Sequence, residues 1–247
     1  MSTLIIIPAR LGSTRLPNKI LANINGKTMI QRVYDQANKV SDSQVFVACG
    51  DSEIAEEVIK FGGDCKMTDP ELPSGTDRIY SALLQINQND KFDYVVNLQG
   101  DVPNIDPNVI IQTINVLKLN PEADIATAVI EFEDEKKADD PNVVKAIIDN
   151  QASSLASFEC YDFLRSKPKS LDGKFYEHIG IYVYRKSALI KFVELSQTER
   201  EINNKLEQLR ALDNKMRIFA CLLDDKQKPV NVDTQSSLDL ARKLISD

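Results

Sequence analysis

Leu4-Ile5-Ile6-Ile7-Pro8-Ala9-Arg10-Leu11-Gly12-Ser13-Thr14-Arg15-Leu16-Pro17 decides how this chain is read. Its first four residues are a short, unbroken apolar run rich in Ile, the pattern of a strand buried on both faces. A polar loop follows, carrying Arg10, Arg15 and, just beyond, Lys19, with Gly12 and Ser13 leaving backbone N–H groups open to an anion. Ligands in open α/β sheets bind where strands end at their carboxyl side. A triphosphate needs such a cradle, with guanidinium forks for bidentate contact and an ammonium as a point charge. On charge alone, a plain solvated loop is the competing reading.

Working outward, Thr28 and Gln31 form a capping box for a helix with Ile30, Val33, Tyr34 and Ala37 at helical spacing. Gln44–Cys49 is the next strand, and Asp51 is placed to cap a helix whose stripe is Ile54, Ala55, Val58 and Ile59, ended by Gly62-Gly63. A strand near Cys65–Met67, a helix capped by Ser74, a strand Tyr94–Leu98 and a helix start at Asp106-Pro107 continue the alternation. This rhythm predicts an α/β, Rossmann-like fold, with a mostly parallel central sheet and helices on both faces.

Past about residue 124 the pattern shifts to strands at Ile125–Phe132, Val144–Asp149 and Ser154–Phe158, the last two joined by a hairpin at Asp149-Asn150-Gln151. A strand at Glu177–Arg185, helices near Ala188–Leu195 and Lys205–Leu212, a strand at Met216–Leu223 and a helix at Thr234–Ile245 complete the chain. No linker or repeat interrupts it, so residues 1–247 read as a single domain with a smaller β-containing subregion within about 124–215. Arg165–Lys174 is basic, contains Pro168 and Gly173, and reads as a mobile loop.

Composition narrows the function classes. The 43% apolar content supports a large core, and the net charge of -7 argues against a nucleic-acid partner. An anionic substrate must then be held by a few placed cations. Cys49, Cys65, Cys160 and Cys221 are scattered without C-x-x-C spacing, which excludes the usual zinc and thioredoxin patterns and points to reduced thiols in the cytoplasm. Leu4–Ile7 is too short for a signal peptide, and no stretch approaches the ~18 apolar residues of a membrane span. Gly26-Lys27-Thr28 imitates the end of a P-loop, but Leu21 stands where that motif requires Gly.

Two acids complete the picture. Asp101, in Gln99-Gly100-Asp101 at the end of a predicted strand, is placed to bind Mg²⁺, a hard ion that takes oxygen ligands. Asp233, in Asn231-Val232-Asp233-Thr234 between a strand and a helix, supplies a second carboxylate on a separate loop, as a phosphoryl-transfer metal site requires. Ordinary turn chemistry for Asp101 and a helix cap for Asp233 remain the plainer alternatives.

Together with Ile24-Asn25-Gly26-Lys27, Met67-Thr68, Ser74-Gly75-Thr76-Asp77-Arg78, His178-Ile179-Gly180-Ile181-Tyr182 and Lys205-Leu206-Glu207-Gln208-Leu209-Arg210, these stretches closely resemble the 3-deoxy-manno-octulosonate cytidylyltransferase (CMP-Kdo synthetase) family. The resemblance runs from Leu4 to about Leu244. It implies transfer of CMP from CTP to the anomeric hydroxyl of Kdo, giving CMP-Kdo and pyrophosphate for lipopolysaccharide synthesis, with Mg²⁺ as cofactor and a homodimer as the assembly. It places Arg10, Ser13, Arg15 and Lys19 on the CTP phosphates, and Ser74, Gly75 and Arg78 on the nucleotide side. Asp101 and Asp233 would hold Mg²⁺ and, with Lys19, form the catalytic set. Gln99, His178, Tyr182, Glu207 and Gln208 would face the sugar acid. His178, the sole histidine, is read as a binding residue rather than a base.

The chain departs from the family pattern in three places. Val102 follows Gln-Gly-Asp where Glu is usual, and Cys160-Tyr161-Asp162 replaces an apolar Ile-Pro stretch. Glu159 stands where the family usually carries an arginine that helps hold the sugar carboxylate. Two desolvated carboxylates repel. Either Arg165, Lys167 or Lys169 compensates, or the acceptor is another acidic sugar, such as 8-amino-Kdo or a nonulosonic acid. Outside the enzyme class, the alternative is a catalytically silent nucleotide-binding homologue.

Overall fold

A computed structural model describes residues 2–13, 15–86, 91–132, 135–148, 157–167 and 174–245. The chain divides into two units, Met1–Ile111 with Pro229–Asp247, and Gln112–Lys228. The division falls inside a helix and at Lys228-Pro229, so no Gly- or Ser-rich stretch announces it.

The first unit runs through β1 (Thr3–Ala9), the hairpin β2 (Asn23–Ile24) and β3 (Lys27–Thr28), α1 (Met29–Ala37), β4 (Ser43–Cys49), α2 (Ser52–Lys60), β5 (Cys65–Met67), α3 (Gly75–Ile86), β6 (Tyr94–Asn97) and the start of α4 (Pro107–Leu119). β1 pairs in parallel with both β4 and β6, and β5 continues in parallel from β4. A strand hydrogen-bonded on both sides and covered on both faces has no polar face, which is why Leu4–Ile7 is fully buried. Thr28 caps α1 by accepting from the Gln31 N–H at 3.4 Å. The Gly26-Lys27-Thr28 decoy is a hairpin: Asn25 and Gly26 both have positive φ, as a tight two-residue turn demands.

The second unit contains β7 (Ile125–Ile130), β8 (Lys145–Ile148), β9 (Ser157–Leu164), β10 (Lys174–Arg185), α5 (Lys186–Glu194), α6 (Glu199–Asn204), α7 (Gln208–Asp213) and β11 (Ile218–Leu222). β10 pairs with β7, β7 with β11, β11 with β9, β9 with β8, and β8 back to β10, so the five strands close a ring. Only β7 and β11 run parallel, in contrast to the all-parallel sheet of the first unit. Among the described residues, closure leaves no unpaired strand edge within the ring.

Two expectations shift here. The helix expected over Lys205–Leu212 starts at Gln208, because Lys205 has φ 52 and ends a separate helix, α6. That helix was announced by Thr198 and Glu201, which form a complete capping box. β9 extends to Leu164, past the expected Phe158. The Asp149-Asn150-Gln151 hairpin and residues 168–173 of the basic loop lie outside the described residues.

The chain ends in α8 (Gln235–Leu244). Asn25 donates to the carbonyls of Arg242 and Ile245 at 2.8 and 2.6 Å, and Arg242 donates back to the Asn23 carbonyl. Ile24, Met29, Val232, Leu238 and Ala241 form a buried cluster between these elements. This local core fixes the segment that carries Asp233.

Candidate active site

β1 leads directly into a cavity of about 340 Å³ lined by the loop that follows it. Arg10, Ser13, Arg15, Lys19, Ser74, Gly75, Arg78, Gln99, Asp101 and Asp233, ten of the residues singled out in the sequence, all line it. All ten belong to the first unit. Gly100 is there because the backbone passes so close: a Cβ would sit 3.1 Å from Ile20 Cδ1 and 3.3 Å from the Pro8 carbonyl.

Asp233 reaches Asp101 through a backbone bond. The Val232 N–H donates to the Asp101 carbonyl at 2.9 Å, and the Val230 N–H donates to Asn104 Oδ1 at 2.8 Å. Thr234, not Asp233, caps α8, so the Asp233 carboxylate is left for the cavity. Lys19 Nζ donates to Asp101 Oδ2 at 2.6 Å and to Asp233 Oδ1 at 2.8 Å. Arg15 adds a bond to Asp233 Oδ2 at 2.9 Å. Burial alone would pull the Lys19 ammonium down, but attraction to Asp101 and the hydrogen bonds to both aspartates outweigh it and raise its pKa. Among the described residues no group of three or more His, Cys, Asp and Glu side chains gathers as a metal cluster. The two aspartates are therefore a partial set of hard oxygen donors, already arranged around one positive charge.

The cavity wall that carries Ser74, Gly75 and Arg78 is organised by α3. Ser74 accepts from the Asp77 N–H at 3.1 Å and donates to Asp77 Oδ2 at 2.7 Å, so it caps the helix as expected. Arg78 is buried, and its guanidinium donates to Thr68 Oγ1 and to the carbonyls of Asp69 and Pro70 at 2.6, 3.1 and 3.2 Å. Burial and the neighbouring Arg10 both lower its pKa. Arg78 thus shapes the loop beside the cavity. Gln99 is turned onto Asn97 Oδ1 at 3.0 Å, and Asn97 in turn donates to Thr76 at 3.3 Å.

Asp51 was missed as a site residue. It stands at the N-cap of α2 but makes no side-chain capping bond there. Its carboxylate instead accepts from the Leu11 N–H at 2.8 Å, while Gly50 N–H donates to the Ala9 carbonyl at 2.9 Å. The tip of β4 thereby holds the basic loop. The same rule that pointed to Arg10 and Asp101, a polar residue at the carboxyl end of a parallel strand, pointed here too.

The second unit holds the remaining candidates. β10 carries a bulge between Ile179 and Tyr182, around Gly180. It leaves the His178 and Tyr182 rings 5.4 Å apart, with Phe163 against His178 at 5.1 Å. Thr127 Oγ1 has one hydrogen and lies 2.8 Å from the Ile181 carbonyl, which can only accept. The 2.8 Å bond between Thr127 and His178 Nε2 must then be donated by the imidazole, which fixes the Nε2–H tautomer. Burial drives the His178 pKa down to about 3, so the ring is neutral. Tyr182 is raised well above its ordinary value by burial, with Tyr184 and Glu207 adding to the effect. Gln208 is buried at the start of α7, and behind it Arg210 makes a bidentate pair with Glu201 at 2.8 and 2.6 Å.

Glu159 is not facing an uncompensated repulsion. Arg217, beside β11, engages it with both arms of its guanidinium, at 2.8 and 2.7 Å. Of the expected partners, Arg165 is engaged elsewhere, donating to the carbonyls of Asn204, Pro141 and Lys205. Lys169 lies outside the described residues. Arg217 was invisible in the sequence because only the β9–β11 pairing brings the two side chains together.

A family model described as cytidylyltransferase matches residues 4–218. The chain is 40% identical over 245 residues to the 3-deoxy-manno-octulosonate cytidylyltransferase of Paramagnetospirillum magneticum, covering 99% of this chain and 98% of that one. With the protein of the same name from Brucella suis it shares 44% over 246 residues, covering 100% and 96%. Among solved structures it is similar to CMP:2-keto-3-deoxy-manno-octonic acid synthetase complexed with CTP, at 31% identity and a TM-score of 0.88 over 99% of this chain and 98% of that one. A cytidylyltransferase from Leptospira borgpetersenii serovar Hardjo-bovis, at 17% identity, TM-score 0.63 and coverage of 100% and 89%, shares the fold.

Proposed function

Because the chain belongs to the cytidylyltransferase family, we propose that it transfers CMP from CTP to the anomeric hydroxyl of 3-deoxy-manno-octulosonate, releasing pyrophosphate. The observation that carries this reading is the cavity after β1, where Arg10, Arg15 and Lys19 converge with Asp101 and Asp233. Arg10, Ser13, Arg15 and Lys19 bind the triphosphate, and Ser74 and Gly75, at the start of α3, line the nucleoside side. Attack on the α-phosphorus is chiefly a matter of alignment and charge neutralisation, and it requires no protein nucleophile.

Asp101 and Asp233 would hold Mg²⁺. The donor set fits, since both carboxylates are hard oxygen ligands already gathered round a single ammonium. When bound, the metal supplies charge neutralisation at the phosphates and acidifies the attacking hydroxyl. Gln99, His178, Tyr182, Glu207 and Gln208 are assigned to the sugar acid. The neutral, Nε2-protonated ring supports a binding role for His178, since a group neutral down to about pH 3 is a poor proton carrier near neutrality. The Glu159–Arg217 pair removes the electrostatic motive for an amino sugar, so Kdo is the preferred acceptor.

Four free cysteines support a reducing, cytoplasmic setting, and among the described residues no helix is long and apolar enough to cross a membrane. The homodimer implied by the family likeness is checked by sedimentation equilibrium. The reading as a whole is tested by pyrophosphate release from CTP with Kdo, 8-amino-Kdo and neuraminate in parallel. Release that requires both CTP and Kdo is expected. Release with neuraminate but not with Kdo overturns the assignment.

A further inference from the structure

We propose that Lys19 is a resident counter-ion of the metal site, so that the divalent cation can enter only together with the triphosphate. This rests on the cytidylyl-transfer reading and adds an order of events to it. The ammonium lies 2.6 Å from Asp101 and 2.8 Å from Asp233, and its side chain is only 15% exposed. Mg²⁺ needs carboxylate oxygens at about 2.0–2.1 Å in near-octahedral geometry, so it and this ammonium cannot share the space between the two carboxylates.

Charge balance gives the same answer. Two carboxylates face two cations, Lys19 and Arg15, and the cluster is already neutral. A divalent ion arriving alone would leave it strongly positive in a partly buried cavity. Magnesium also dehydrates reluctantly, so it has little to gain there. A triphosphate reverses the balance. Its oxygens offer Lys19 and Arg15 new acceptors, and the same step frees Asp101 and Asp233 to take the metal. Lys19 therefore holds the two aspartates together before substrate arrives, against their mutual repulsion, and moves from carboxylate to phosphate as CTP binds.

The test is a binding measurement that needs no turnover. Mn²⁺ alone is titrated into the full chain by electron paramagnetic resonance, without and with CTP. Without CTP, the unsubstituted protein binds Mn²⁺ weakly, and Lys19→Met binds it at least about tenfold more tightly, because a like charge has left the site. The double variant Lys19→Met with Asp101→Ala loses that gain. With CTP the order reverses: the unsubstituted protein takes up Mn²⁺–CTP more tightly than Lys19→Met does. Lys19→Gln repeats the comparison if the Met variant proves poorly folded by circular dichroism. If neither variant binds free Mn²⁺ more tightly than the unsubstituted protein, the counter-ion role is wrong. Pyrophosphate release from CTP and Kdo by the unsubstituted protein reports separately on the reaction itself.

Discussion

The two units hold their polar side chains in opposite ways. In the first, Arg15, Asp101 and Asp233 stand on loops and Lys19 on a single 3-10 turn, and Arg15 and Asp233 remain 60% and 32% exposed. In the second, Arg210 and Glu201 are 6% and 5% exposed, and His178 is held by a hydroxyl whose other bond goes to the backbone. The difference suits the two ligands of the proposed reaction. A triphosphate is multiply charged and well hydrated, and it is best met by cations that can change partners. A sugar acid has directional hydroxyls and is best met by polar atoms fixed within apolar walls. Substitutions in the Lys19–Asp101–Asp233 cluster should therefore alter turnover and leave folding nearly intact, whereas substitutions at the buried Arg210–Glu201 pair or at His178 should alter both.

The sharpest way to break that contrast is Asp101→Ala or Asp233→Ala. Each removes half of the two-carboxylate set, and kcat should fall about a thousandfold, about 4 kcal/mol of transition-state stabilisation. The thermal midpoint should hardly change, since either variant leaves Lys19 one aspartate and Arg15 is already largely in water. A large loss of stability with either variant would mean that these charges are structural. Next comes Glu201→Gln, which takes the bidentate carboxylate from the buried Arg210 guanidinium and leaves it Glu207 at 3.8 Å and the face of Phe192. Breaking a buried ion pair costs about 3–5 kcal/mol when nothing replaces the lost partner, and the remaining contacts put this loss at about 2–3 kcal/mol. Urea unfolding should show that loss. A shift of under about 1 kcal/mol would place Glu201 with the exposed charges of the first unit.

The pH dependence of stability separates the units as well. His178 is held far below its ordinary value of 6.5, at about 3, by burial. Between these values the unfolded chain takes up a proton that the folded chain refuses, so stability present above about pH 6.5 is lost as pH falls toward 3. His178→Gln lacks this proton. Its deficit relative to the unsubstituted protein should be largest at pH 7 and should narrow by pH 4.5, as read from thermal midpoints. A gap that stays constant across that range would show that the ring titrates normally.

Legibility in the sequence divides along the same line. The first unit is built of local signals: an apolar run, a basic loop, a Gly-Asp at a strand tip and a Ser-Gly helix start. Each lies within about ten residues, so a linear reading finds it. The pairing of Asp101 with Asp233 is the exception, since Asp233 follows no strand and is brought in by the Val232–Asp101 backbone bond. The second unit depends on which strands pair. Glu159 and Arg217, and Thr127 and His178, are partners only because a ring of strands closes around them. α6 was overlooked although Thr198 and Glu201 spelled out its start, because its six residues carry too short an apolar pattern. Asp51 was read as a helix cap because that is the commonest use of the residue, and only the fold shows it turned toward Leu11.

Asp51 offers a finer test within the first unit. If its carboxylate holds the phosphate loop from behind, Asp51→Ala should raise the KM for CTP about tenfold with kcat little changed, the cost of one charge-assisted hydrogen bond. Asp51→Asn keeps an acceptor for the Leu11 N–H and should recover most of the loss. Equal damage from both variants would show that the negative charge matters, not the bond.

The smallest expected effect is at Glu159, where the sugar assignment is most open to challenge. A free carboxylate beside the acceptor would favour an amino sugar and reject Kdo. Paired with Arg217 at 2.7 and 2.8 Å, it presents little net charge. Arg217 is 43% exposed and Glu159 24% exposed, so solvent screens the pair and its loss should cost under about 1 kcal/mol of stability. Glu159→Gln should therefore change the ratio of kcat/KM for Kdo over 8-amino-Kdo by less than about threefold, under about 0.7 kcal/mol. Arg217→Met is the informative partner, because it uncovers the carboxylate. If the charge lies near the acceptor, that variant alone should shift the ratio toward the amino sugar. If neither substitution moves the ratio, Glu159 lies apart from sugar recognition.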